Sequence, residues 1–240
     1  FLQRLRDELE SDDLKVSILD FVNACIDKQP GLTEAFFRVS YDQVSRHNFF
    51  LKRTSESESM CDGIIVYMEE FLETVEKDPT KITNDQLKRI MNLFHSLWKQ
   101  GLQSLVSSLL KKPNFWSSLC NPIMSPPINN YQYSQLLNIM GIELFKLRES
   151  NADNENFRKV IEKFLAADVF KKFLDIVFEL PKLTLNDSSF IEETPEWLGR
   201  LQSFKDFLVL LMKRKNFLSL PFESCKMLLD KSLEVSTDKF

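Results

Sequence analysis

Apolar side chains return every three or four positions along almost the whole of this chain, and that period admits little besides α-helix. Leu14, Ile18, Phe21, Val22, Cys25 and Ile26 make the first stripe. Ile64, Ile65, Met68, Phe71, Leu72 and Val75 make the second, between about Cys61 and Val75. The longest run starts at Leu87, passes through Ile90, Met91, Phe94, Leu97 and Trp98, and resumes beyond Gly101 with Leu102, Leu105, Val106 and Leu109.

Punctuation sets the expected boundaries. Asp12 and Asp13 stand where they can cap a helix or complement its N-terminal dipole. Pro30 ends the first helix and opens a short one carrying Leu32, Phe36 and Phe37, since proline at the first helical position gives up only an orphan N–H. Thr83 is placed as a cap, with Gln86 as its capping-box partner. Gly101, at about 1 kcal/mol against alanine in a helix, marks a kink or break. A short helix over Phe115–Leu119 is expected before an irregular connection marked by Pro122, Pro126 and Pro127. Gln132–Arg148 reads as a helix apolar on much of its circumference, with neighbours on two sides. Further helices are expected over Phe157–Leu165 and Val169–Leu180, then a longer loop from Pro181 to Thr194, a helix opened by Pro195, and a last one from Pro221 to Val235.

These features predict an all-α fold of irregular stacked helix pairs, an α-solenoid segment of HEAT or armadillo type, in one continuous unit over residues 1–240. No repeat stands out at the standard solenoid periods. Only 5 of 240 residues are glycine, which argues against barrels, sandwiches and nucleotide folds that need positive-φ turns and close backbone approaches. The net charge of −4 gives no general pull toward nucleic acid or acidic membrane. Cys25, Cys61, Cys120 and Cys225 are scattered, without a C-x-x-C pair, and read as reduced thiols. No apolar run reaches the roughly 20 residues that span a bilayer. The sequence opens on Phe1 rather than methionine, which fits a segment of a longer chain.

Catalytic constellations are hard to assemble. His47 and His95 are the only histidines, and neither has a partner at metal-ligand or nucleophile–base spacing. No phosphate loop or nucleophile elbow occurs. Glu69, Glu70, Glu73 and Glu76 share a helical face that is most simply solvated. Lys213-Arg214-Lys215 falls at an expected helix C-terminus, where cations complement the dipole. Ser55, Ser57 and Ser59 alternate with Glu56 and Glu58 on an expected loop; phosphorylation would concentrate negative charge there, the plainer reading being a solvated loop. Phe170 with Phe173, and Phe204 with Phe207, fall at helical spacing and read as packing, the alternative being an exposed subset that marks a partner groove.

Two stretches go beyond generic helicity: Gln29-Pro30-Gly31-Leu32-Thr33-Glu34-Ala35-Phe36-Phe37, and Phe115-Trp116-Ser117-Ser118-Leu119-Cys120-Asn121-Pro122-Ile123, the latter preceded by Phe94, Leu97 and Trp98. In that order they resemble the mid-portion of the large inner-ring scaffold nucleoporins of the nuclear pore complex, over about the first half of the chain. The resemblance implies a curved α-solenoid in the nuclear envelope, without catalytic residues, cofactor or metal. Its implied partners are other scaffold nucleoporins, short linear motifs of linker nucleoporins and transport factors, with no direct nucleic-acid contact. No partner-binding residue can be carried over, because the matching motifs look structural. The absence of any Phe-Gly dipeptide sets the chain apart from permeability-barrier nucleoporins. Alternatives are a segment of a helical-repeat transport receptor or adaptor, and an all-helical GTPase regulator.

Overall fold

The structure, a computed structural model, describes residues 4–5, 7, 9–37, 60–78, 81–124, 130–147, 155–178, 189–213 and 221–237. Among these the elements are helices: α1 Asp12–Lys28, α2 Pro30–Phe37, α3 Met60–Lys77, α4 Asn84–Gln100, α5 Gln103–Leu110, α6 Phe115–Met124, α7 Asn130–Lys146, α8 Glu155–Phe164, α9 Ala167–Phe178, α10 Ser189–Lys213 and α11 Phe222–Thr237. They fall into two compact units, Phe1–Ser118 and Leu119–Phe240.

In the first unit α1 lies along α4, α2 follows α1, and α3 packs on α2 and α5. The Ser11 hydroxyl, rather than Asp12 or Asp13, caps α1 by accepting from the Leu14 N–H; the two aspartates occupy the first turn, where they complement the dipole. Thr83 caps α4 as expected, accepting from the Gln86 N–H. The reciprocal half of the capping box is not made. Gln86 is buried, and its side chain donates to Asp12 on α1 at 2.6 Å. Gly101 ends α4 in the left-handed region with φ 68°, so the expected break is a helix cap, and α5 restarts two residues on.

The core of this unit closes around aromatic rings. Trp98 stacks on Phe115 with centroids 5.6 Å apart. Trp116 meets Trp98 edge-on at 5.9 Å and Phe115 at 5.3 Å. Phe94 lies 6.2 Å from Phe115. All four are buried, in the offset and edge-to-face geometries that aromatic quadrupoles favour.

In the second unit α7 packs along α10, and α9 contacts α8, α10 and α11. Leu136, Leu137, Ile139, Met140 and Leu144 of α7 are fully buried, matching the broad apolar circumference read from sequence. Phe164 gathers Phe170, Phe173 and Phe207 at 4.8–5.9 Å, and Phe204 closes on Phe170 and Phe173 at 6.3 and 5.2 Å.

Proline misled the boundaries twice. α6 continues through Pro122 to Met124, and α10 begins at Ser189, within the expected loop and six residues ahead of Pro195. Each proline removes one intrahelical bond and crowds one carbonyl. A helix held by its neighbours elsewhere absorbs that loss, whereas an isolated one would end. The expected loop over 181–188 and the side chains of Phe36 and Phe37 lie outside the described residues.

Two substitutions test this packing. Trp116→Ala should destabilise the fold by about 3–5 kcal/mol, read as a lowered midpoint in chemical denaturation. Gly101→Ala should cost roughly 1–2 kcal/mol through its positive φ alone, because a Cβ there would meet nothing within 4 Å; Gly101→Asn should recover part of the loss.

Candidate functional site

Polar side chains in this protein are spent on helix–helix register, and the α1–α4 seam shows it best. Asp12 accepts from Gln86 at 2.6 Å, Asp20 accepts from the Arg89 guanidinium at 3.2 Å, and Asp27 accepts from Ser96 at 3.3 Å. Buried Asn23 donates through Nδ2 to the Arg89 carbonyl at 3.0 Å. Partner numbers rise together along both helices, so the two run parallel. Arg89 is held from its own helix as well, by Asp85 at 3.0 Å. Farther on, Glu34 of α2 accepts from the backbone N–H of Ser104 at 3.0 Å and from the Ser104 hydroxyl.

The two helices of the seam, each 17 residues long, also share a layout. The caps at both ends of α4 sit 72 residues beyond those of α1, Thr83 against Ser11 and Gly101 against Gln29. At that offset buried Ile18, Leu19, Val22 and Ile26 correspond to buried Ile90, Met91, Phe94 and Trp98. The second unit pairs its helices in the same way. Ser134 of α7 hydrogen-bonds the Ser203 hydroxyl at 2.9 Å and donates to the Gly199 carbonyl at 3.4 Å. Gly141 lies so near Leu210 that an added Cβ would come within 3.3 Å of its Cδ1. These partners again rise together, so α7 and α10 are parallel too. In α9 and α11, Asp175 pairs with Lys231 at 2.9 Å, and Ser224 donates to the Leu165 carbonyl just past α8.

The sequence-stated candidates fall into this structural work. His95 is half-buried on α4; burial first, then Lys99, hold its pKa below the usual 6.5, with Asp27 opposing. Of the acidic face on α3, Glu69 pairs with Lys112 at 2.9 Å and Glu73 with Lys77 at 3.1 Å, while Glu70 and Glu76 are exposed. Phe170, Phe173, Phe204 and Phe207 are buried against one another. Lys213 is exposed at the end of α10; Arg214, Lys215, His47 and the Ser55–Ser59 stretch lie outside the described residues. Burial pushes the Cys120 thiol up to about 12, which leaves it protonated and unreactive. Tyr67 is raised to about 12 by burial and by nearby Asp12. Among the described residues no group of three or more His, Cys, Asp or Glu could hold a metal ion. No described helix is long and apolar enough to cross a membrane.

The chain is thus an all-α protein of stacked helix pairs, in the manner of HEAT and armadillo segments. A family model described as nucleoporin Nup188, N-terminal subdomain III, matches residues 1–40. Nucleoporin Nup188 of Drosophila melanogaster is 39% identical over 242 residues, covering 100% of this chain and 13% of the fly protein. Nucleoporin NUP188 of Xenopus tropicalis is 25% identical over 87% of the chain and 12% of its own length, and human NUP188 is 25% identical over 68% and 10%. The chain belongs to the Nup188 nucleoporin family, and spans about an eighth of the curated relatives it matches. No solved structure matches it.

His95 offers a test of how the seam is buried. Because its folded pKa lies below the unfolded value, the unfolded chain takes up the proton first as pH falls. Its contribution to stability is therefore fully present above pH ~6.5 and is lost as pH drops from there through the folded pKa. NMR titration should place the His95 midpoint below 6.5, and His95→Gln should flatten the acid slope of stability in that window.

Proposed function

We propose that this stretch is a structural segment of the inner-ring scaffold of the nuclear pore complex. It acts through protein–protein contacts with other scaffold and linker nucleoporins and with transport factors, and so supports nucleocytoplasmic transport at the nuclear envelope. Residues 1–240 serve as one segment of a longer helical stack. The stretch carries no catalysis and takes no cofactor.

The observation that carries this reading is the 39% identity to fly Nup188 over the whole chain. The geometry agrees with it. Among the described residues, Cys120 is held protonated by burial, and Glu69 and Arg89 are engaged in ion pairs across helices. A stack of this kind offers a partner long helix faces and ordered polar edges, which suits assembly rather than turnover.

Full-length protein carrying a fluorescent tag should concentrate at the nuclear rim. Excision of this stretch should lower rim intensity and co-purification of scaffold nucleoporins severalfold. Unchanged rim signal and unchanged co-purification would overturn the proposal. Acceleration of nucleotide exchange or hydrolysis on a small GTPase would replace it with a regulator.

A further inference from the structure

We draw no further inference here: the strongest candidate, the surface patch on α11 formed by exposed Phe222 and Leu229, on the side of that helix away from Ser224 and its bond to the Leu165 carbonyl, is an apolar face, and nothing in the structure shows what covers it.

Discussion

A buried amide fixes how the first unit goes together. Asn23 sits in an otherwise apolar stripe of α1 and donates to a main-chain carbonyl of α4, that of Arg89. A helical carbonyl keeps a second lone pair for such a donor. Sliding α1 by one turn along α4 would bury that amide without its partner, at about 1–3 kcal/mol. The same slip would part Asp12 from Gln86 and Asp27 from Ser96. Apolar contact alone would tolerate several registers, because leucine and isoleucine faces are interchangeable over one turn. The polar contacts select one. Individually they are modest, and the Asp20–Arg89 pair, with both side chains partly exposed, contributes little by itself. Their value lies in agreeing on a single alignment.

Burial then supplies the bulk of the stability, and it is distributed differently in the two units. The first concentrates it in a knot of Phe94, Trp98, Phe115 and Trp116, where the C-terminal part of α4 meets the first residues of α6. The second spreads it over five phenylalanines from α8, α9 and α10, while small residues at Ser134, Gly141, Gly199 and Ser203 let α7 and α10 close together. Both devices do the same work. They hold long helices side by side and leave the reactive groups inert, as the raised Cys120 thiol illustrates.

Helical period, caps and aromatic knots were legible in the sequence because each is written in a short window. Thr83 read as a cap and became one; Trp116, singled out beside Phe115, is buried in the knot. Proline was over-read at Pro122 and Pro195, since a local rule cannot see the neighbours that sustain a helix across one missing bond. The shared layout of α1 and α4 escaped for another reason. Between 11–29 and 83–101, at the 72-residue offset, Asp13/Asp85 and Ile18/Ile90 are the identities; elsewhere valine stands for phenylalanine, isoleucine for tryptophan and glutamine for glycine. What repeats is burial and capping, which several residue types satisfy equally. Gln86 misled in the same way: its spacing fits a capping box, but its side chain is captured by a residue 74 positions away.

That loose repetition has a consequence for order within a stack. If every layer carried identical donors and acceptors, any layer could dock on any other, and copies could associate through the same faces. Here the α4 side is donor-rich through Gln86, Arg89 and Ser96, and the α1 side that receives it is acceptor-rich through Asp12, Asp20 and Asp27. A second acidic edge docked on α1 in place of α4 would set carboxylate against carboxylate, a desolvation without compensation. The difference between the two helices therefore acts as a specificity device. The backbone plan is shared, and the side chains decide which layer follows which.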